Sequence, residues 1–487
     1  YSEFVTFPIE LYEEKVDYKQ VPDPDAPAPA EGEAPKMKTE TIRTYDWEVV
    51  NKQKPLWMRN PREVNTTEYS EFYKSTFYGF EDPLGHTHFS VEGQVEFRAL
   101  LYIPGTVPFE LSRNLFDDKS KPLRLYVKRV FINDKFEELY PRWLTFVRGV
   151  VDSQDLPLNV GREILQKSKM LNIMNKRLVR KTLDLIRDIK EDEEKWATFT
   201  ENYGRYMKVG IVEDPDYKDD LAPYVEFFST SSGEKTTSLQ GYVDRMLEGQ
   251  QKIYYVTGET KKQAEMVPAV EAAKKKGFEV LFMTDALDEL AIQGIADFNE
   301  KTIVDLGKDG VELEDLEAAS ADEETKKAKE EAKKKEQEQL KEEFSSLCEW
   351  FESALEGKVR QVELSKKLED APAMLVQGAY GMSPTMQRYM ASFGNAQDQQ
   401  MGGMDQAKLE INPKHPIIVA LNKKVANNES DAVENAKLIY DLAAMTGGYS
   451  IADPAQFAKS VQKLLQDRIA DEDAQASGGA AEVEVVE

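Results

Sequence analysis

Cysteine occurs once in these 487 residues and histidine three times. A lone thiol, Cys348, excludes an intramolecular disulfide framework and any multi-cysteine zinc site, a usage that fits a reducing compartment. It lies in Leu347-Cys348-Glu349-Trp350-Phe351, where a buried apolar role is expected ahead of a reactive thiol. Long apolar runs are missing too. Nothing approaches the ~20 residues that cross a bilayer, and neither a signal peptide nor a basic, serine-rich transit segment opens the chain. Positive charge is the third scarcity: 63 Lys and Arg against 89 Asp and Glu leave a formal net charge of −26. Neither nucleic acid nor an anionic membrane is therefore an expected partner. Walker-type loops, dinucleotide fingerprints, nucleophile elbows and zinc-protease helices are absent. Residue by residue, the chain shows no complete active site.

What is present is periodicity. Single cores stop growing at roughly 250–300 residues, so the length implies at least two domains. Residues 21–39 are rich in proline, alanine and acidic side chains and read as a disordered surface insert. From Phe89 to Ile103 every odd position is apolar or glycine, with Ser90, Glu92, Gln94, Glu96 and Arg98 between them, which predicts one long half-buried strand. A second strand is expected over Leu123 to Ile132. Asn159 offers an N-cap, and Leu171, Met174, Leu178, Leu185 and Ile189 step at helical spacing, predicting a long amphipathic helix. Helices then dominate to about residue 250.

The pattern changes at Lys252. Strand Ile253–Val256, helix Lys261–Lys276, Gly277 as C′ residue, strand Phe278–Thr284, helix Leu287–Asn299 and strand Thr302–Val304 make a small α/β layer unit. Between Asp322 and Lys341, seven acidic and seven basic residues surround a single bulky apolar one, Leu340, a solvated helical linker. A last domain ends in two helices: Val433–Thr446, stopped by Gly447-Gly448, and one capped by Asp453 with Pro454 in its first turn. The stripe Phe457, Val461, Leu464 and Leu465 on that last helix calls for a partner helix. Residues 470–487 read as a disordered acidic tail.

Several constellations could carry chemistry. His86 and His88 could both ligate a metal, but no third ligand cluster accompanies them, and no metal site is expected. Thr257-Gly258-Glu259-Thr260 could offer backbone amides to an anion, although a plain turn from strand to helix is the stronger reading. Asn65-Thr66-Thr67 and Asn428-Glu429-Ser430 match the glycosylation triplet, a pattern short enough for chance. Met382, Met386, Tyr389, Met390, Phe393, Met401 and Met404 gather in a polar, glutamine-rich, glycine-broken stretch; they are either a core stripe or a yielding surface for apolar partners. In the segment Gly149 to Gln166, Arg162 stands just inside a helix start behind a proline-bearing loop. It could swing to a nucleotide phosphate offered by another domain, or pair on the surface with Glu163 or Asp155.

That segment closely resembles the loop of the heat-shock protein 90 family in which an arginine reaches the γ-phosphate of ATP held by the N-terminal domain. Arg162 matches that arginine, and Asn159 and Gln166 match its polar neighbours; Gly161 replaces the family's usual serine. The resemblance runs almost end to end. It takes in Lys54-Pro55-Leu56-Trp57-Met58-Arg59-Asn60, Leu125-Tyr126-Val127-Lys128-Arg129-Val130-Phe131-Ile132, Tyr380 to Met390 and Ile411-Asn412-Pro413-Lys414-His415-Pro416. Met382 replaces a usual tryptophan, and Pro384 is expected to interrupt the helix start.

The resemblance implies an α/β and α+β multidomain protein. A large α/β/α middle part occupies 1–172, a helical connector 173–250, the small α/β unit 251–313, the charged linker 314–341 and a mixed C-terminal domain 342–469. The family's N-terminal ATP-binding domain is expected to be missing, since the chain starts at Tyr1 within the middle part. ATP and Mg²⁺ would bind that domain, this chain alone would be hydrolytically inactive, and Arg162, Asn159 and Gln166 would complete the ATPase site. Met382, Met386, Tyr389 and Met390 would contact client proteins. Phe457, Val461, Leu464 and Leu465 would pair a homodimer through a four-helix bundle, and co-chaperones would be further partners. The wording His86-Thr87-His88-Phe89 and Leu101-Tyr102-Ile103-Pro104-Gly105 is most like the chloroplast branch, which implies the stroma, with the mitochondrion as the alternative. Two rival readings are an acidic dimeric scaffold and a phosphate-binding enzyme centred on Thr257-Gly258.

Overall fold

The computed structural model describes residues 8–22, 37–49, 55–113, 123–134, 139–156, 169–316, 323–355, 357–378, 381–392, 407–429, 431–451 and 453–478. They fall into two compact units, Tyr1–Tyr206 and Met207–Glu487.

The first unit starts with a ribbon. β1 (Glu10–Pro22) and β2 (Met37–Val49) pair antiparallel from Glu10↔Val49 to Pro22↔Met37. The expected insert at 21–39 therefore begins and ends in strand, and residues 23–36 lie outside the described residues. Composition misleads at those ends because ladder pairing engages backbone groups and needs no apolar side chain.

The stretch Phe89 to Ile103 is two strands rather than one, β3 (Gly85–Val91) and β4 (Phe97–Ile103), with Gly93 at φ +133° in the reversal. Facing residues such as Phe89↔Ala99 and Val91↔Phe97 have the same parity. The odd-position pattern thus runs through the turn unbroken, which is why alternation alone reads as one strand. Leu123 to Ile132 divides in the same way into β5 (Leu123–Val127) and β6 (Val130–Asn133). Lys128 and Arg129 turn the chain with φ of 52° and 68°, the left-handed conformation whose twist suits a two-residue hairpin. β7 (Arg148–Ser153) lies between β4 and β5, giving the order β3-β4-β7-β5-β6.

α1 (Thr66–Phe77) lies against this sheet, with Tyr69 and Tyr73 in one core with Trp57, Leu100, Tyr102 and Val150. Its start is a capping box: Asn65 accepts from the Glu68 N–H at 2.8 Å and the Glu68 carboxylate accepts from the Asn65 N–H at 3.1 Å. α2 (Phe109–Arg113) is a single short turn. α3 (Lys169–Lys190) is the expected amphipathic helix, with Leu171, Met174, Leu178, Leu185 and Ile189 all buried. On α4 (Glu193–Glu213), Tyr203 stacks on Phe146 with ring centroids 4.3 Å apart.

In the second unit, α5 (Lys218–Leu221) is followed by two short strands within the stretch read as helical, β8 (Glu226–Ser229) and β9 (Thr237–Ser238), and then by α6 (Leu239–Asp244). Runs this short carry no detectable period. They join β10 (Lys252–Thr257), β11 (Val280–Met283), β12 (Asp297–Phe298) and β13 (Lys301–Asp305) in the order β12-β13-β10-β11-β8-β9. The β10–β11 and β10–β13 pairs are parallel, as the strand–helix alternation requires.

The helix expected over Lys261–Lys276 is two, α7 (Lys261–Glu265) and α8 (Pro268–Lys275). Pro268 has no N–H to continue the first helix and pushes Val267 out of helical backbone, to ψ 126°. Gly277 has the positive φ, 80°, expected of a C′ residue. α9 (Ala286–Ile295) stops short of Asn299, where Ala296 takes φ 61° and the chain turns into β12.

The charged linker and the first helix of the last domain are one element, α10 (Glu323–Ala354). Its later turns bury Phe344, Leu347 and Phe351 in the C-terminal core. Cys348 is half-buried beside them, and burial reinforced by Glu352, Glu363 and Glu349 pushes its thiol up to about 11. β14 (Val362–Leu364), β15 (Ala373–Val376) and β16 (Lys408–Ile411) form a small sheet in the order β14-β16-β15. α11 (Pro384–Ser392), α12 (Pro416–Ala426), α13 (Ala432–Thr446) and α14 (Pro454–Gly478) complete the unit. α14 continues through residues 470–478, the start of the expected tail, and 479–487 lie outside the described residues.

Candidate functional site

α11 combines a buried base with an apolar outer face. Ser383 is 3% exposed, and its Oγ accepts from the Met386 N–H at 3.0 Å, capping the helix. The same hydroxyl donates to the carboxylate of Glu289 on α9, itself 2% exposed. Lys308 donates its ammonium to the Gly381 carbonyl, and Arg388 donates to the Gly448 carbonyl at 2.6 Å. Pro384 starts the helix rather than interrupting it: the first helical position needs no N–H donor, and proline's fixed φ suits it.

Outward from this base, Met382, Tyr389 and Met390 are 43, 43 and 51% exposed, whereas Met386 is half-buried. Of the apolar stretch, Phe393, Met401 and Met404 lie outside the described residues. The anchors Glu289, Lys308 and Arg388 escaped sequence reasoning. The signal that could have found the helix start was Ser383-Pro384, a capping residue followed by an N1 proline.

Burial explains the electrostatics beneath α11. Desolvation raises the Glu289 carboxyl, against the opposing pull of Ser383, Lys308 and Gln293. Asp305, at the end of β13, is pushed up to about 6, mainly by desolvation; Glu289 adds to the rise, while the Gly307 N–H and Lys308 oppose it. Gln377 donates to the Tyr449 hydroxyl beside these groups.

A second apolar face lies on α14. Asp453 caps it, accepting from the Gln456 N–H at 2.9 Å, and Lys463 meets Glu434 of α13 at 2.7 Å. Phe457 and Val461 are half-buried, while Leu464, Leu465 and Ile469 are 47, 54 and 58% exposed.

Arg162, Asn159 and Gln166 lie outside the described residues, but the chain on each side of them is well held. On the β7 side, Asp152 accepts from the Trp57 indole at 3.0 Å and from the Arg129 N–H at 3.2 Å, and Asp155 accepts from the Glu96 N–H at 2.7 Å. Leu156 is buried, and on the far side so are Leu171 and Met174 of α3.

The other candidates are engaged structurally. His88 donates Nε2–H to the Trp57 carbonyl at 3.1 Å, so Nδ1 is left to accept from the Tyr69 hydroxyl at 2.8 Å, and His86 lies 4.0 Å from the Tyr69 ring. Burial lowers both imidazoles, with the Trp57 carbonyl opposing it at His88. Among the described residues no group of three His, Cys, Asp or Glu could hold a metal. At Thr257-Gly258 the Glu259 amide donates to Gln263, the Gln263 amide to Thr260 and the Gly258 amide to the Met283 carbonyl. This is a plain turn, with Gly258 required because a Cβ there would lie 2.8 Å from the Ala264 backbone.

A family model described as "Hsp90 protein" matches residues 1–486. The chain belongs to the Hsp90 family. It is 40% identical over 473 residues to "Heat shock protein 90-5, chloroplastic" of Arabidopsis thaliana, a match covering 96% of this chain and 58% of the relative. It is 39% identical over 483 residues to "Heat shock protein 90-6, mitochondrial" of the same plant, again 96% of this chain and 58% of the relative. The chain thus spans under two thirds of the length of these Hsp90 relatives. Among solved structures it is similar to the middle domain of a Plasmodium falciparum putative heat shock protein, at 43% identity and a TM-score of 0.48, covering 52% of this chain and 99% of that one.

Proposed function

We propose that these residues are the client-holding and dimerising part of an ATP-driven Hsp90 chaperone, and that Arg162 completes an ATPase site on an N-terminal domain. The observation that carries this reading is the exposed Met382–Tyr389–Met390 face on a helix whose base is buried and hydrogen-bonded. Flexible, polarisable thioethers suit a surface that accepts many unrelated apolar segments, and a fixed base keeps that surface presented.

ATP and Mg²⁺ belong to the N-terminal domain in this reading, and none is expected on this chain. Arg162 brings a guanidinium to charge developing on the γ-phosphate, with Asn159 and Gln166 as polar neighbours. The anchoring of Asp152 and Asp155 on one side and of Leu171 on the other supports the reading that Arg162 is delivered reproducibly. The apolar face of Leu464, Leu465 and Ile469 supports a homodimer; co-chaperones are the further partner class. The chloroplast stroma is the compartment we favour. Relatives from chloroplast and mitochondrion are almost equally identical, so detection of the native protein in purified organelle fractions with an antibody to this chain decides between them.

The experiment is ATP turnover and suppression of client aggregation by the chain joined to a family N-terminal domain. Arg162→Ala should cut turnover roughly 10- to 1,000-fold with nucleotide affinity much less changed. Met382→Asp with Met390→Asp should weaken holding of thermally denatured citrate synthase without lowering the melting temperature. Unchanged turnover and unchanged holding together would leave an acidic dimeric scaffold as the better description.

A further inference from the structure

We propose that Glu289 is the positioning residue of the client face: through Ser383 it sets how α11 presents Met382, Tyr389 and Met390. The inference rests on the reading of α11 as a client surface.

The geometry is specific. Glu289 belongs to α9 of the small α/β layer, 94 positions before Ser383. One of its oxygens accepts from Ser383 Oγ and the other from Gln293 at 3.1 Å, so the carboxylate has a fixed rotamer with both oxygens used. Ser383 Oγ has two roles at once, donor to Glu289 and acceptor for the Met386 N–H. The helix cap is therefore also the tether. Lys308, just beyond β13, holds the Gly381 carbonyl, so Gly381 and Ser383 ahead of the helix are gripped by one cation and one carboxylate from the same layer. Arg388, within the helix, donates to the Gly448 carbonyl two residues beyond α13.

A buried bond to an ionised acceptor is stronger than a neutral one and more costly to leave unmade. Removing it therefore changes the pose of the helix before it changes the fold. Any shift of α9 within the layer would be passed to the apolar face by this bond, because the tether and the cap are the same atom.

The test uses the full chain. Ser383→Asp keeps an N-cap but sets a second carboxylate against Glu289. Glu289→Gln with Ser383→Asp moves the single negative charge to the other end of the bond and restores a donor–acceptor pair. We expect amide exchange over Met386–Ser392 to accelerate at least tenfold in Ser383→Asp, and holding of thermally denatured citrate synthase to fall at least fivefold. Both should return to within twofold of the parent in the double variant. A residue that merely packs would not be rescued by reversing the charge. Should Ser383→Asp fail to fold, the double variant still decides, since it folds and holds the client only if the two side chains act as a pair. Unchanged exchange in Ser383→Asp, or no rescue, overturns the inference. Exchange that accelerates and is rescued while holding stays constant retains the tether and overturns the client reading of α11.

Discussion

The indole N–H of Trp57 donates to the buried carboxylate of Asp152 at 3.0 Å, joining the chain before α1 to the central strand β7. The second oxygen of Asp152 takes the Arg129 amide of the β5–β6 turn, so one side chain ties three segments together a few residues before 157–168, which lie outside the described residues.

Removing that acceptor takes away the bonds that the buried Trp57 indole N–H and the Arg129 amide make to Asp152. Asp152→Ala should destabilise the first unit by about 1–3 kcal/mol, read as a lower urea midpoint at unchanged slope. Asp152→Asn keeps one acceptor and removes the desolvated charge responsible for the raised carboxyl. It should therefore lose less than the alanine variant.

Lys128 opens the β5–β6 hairpin with φ 52°, a backbone region that asparagine tolerates better than lysine. Lys128→Asn should raise the stability of the first unit by about 0.5–1 kcal/mol, seen as a small upward shift of its melting temperature. A loss of stability would mean that the lysine side chain contributes more than the turn conformation costs.

Asp305 titrates at about 6 in the folded chain, above its ordinary 3.8. A carboxyl raised on folding contributes stability that is fully present below the unfolded value and is lost as pH rises through the folded one. The second unit should therefore be more stable at pH 5 than at pH 7.5, and Glu289, raised for the same reason, acts in the same direction. Asp305→Asn should flatten that slope and add about 1 kcal/mol at pH 7.5, the full shift being discounted for partial solvent access. Melting curves of both proteins across pH 5–7.5 supply the comparison.

The apolar face of α14 yields a test of assembly. Leu464→Glu with Leu465→Glu changes two side chains that are half exposed in the isolated chain, so the fold should survive. The proposed dimer should not, because in it two carboxylates would face two more across a two-fold axis. Light scattering should report a monomer with an unchanged circular dichroism spectrum. A persistent dimer would place the interface elsewhere.

Local rules written in the sequence determined the class of α3 and of the small α/β layer. The spacing of Leu171 to Ile189 is a helix whatever surrounds it, and Gly277 marks a helix end because it takes a positive φ without strain. The alternation of Lys252 to Val304 is a parallel α/β layer, since parallel strands need crossovers. Pro268 and Ser383-Pro384 were legible too, but only by giving proline's missing N–H more weight than the period around it.

Other features belong to the tertiary structure alone. The odd-position pattern of Phe89–Ile103 is identical for one strand and for a hairpin, because antiparallel pairing here preserves parity; Gly93 and the five-residue reversal between β3 and β4 decide it. Residues 21–22 and 37–39 are strand because each has the other to pair with. By pattern alone the methionine stretch read slightly better as core than as surface, since thioethers suit both, and only the family resemblance favoured client contact. In the structure Ser383 at the base of α11 is buried and donates to Glu289, Met386 is half-buried, and Met382 and Met390 are exposed. No periodicity reports such a bond, because it depends on two segments meeting in space rather than on the order of residues in either.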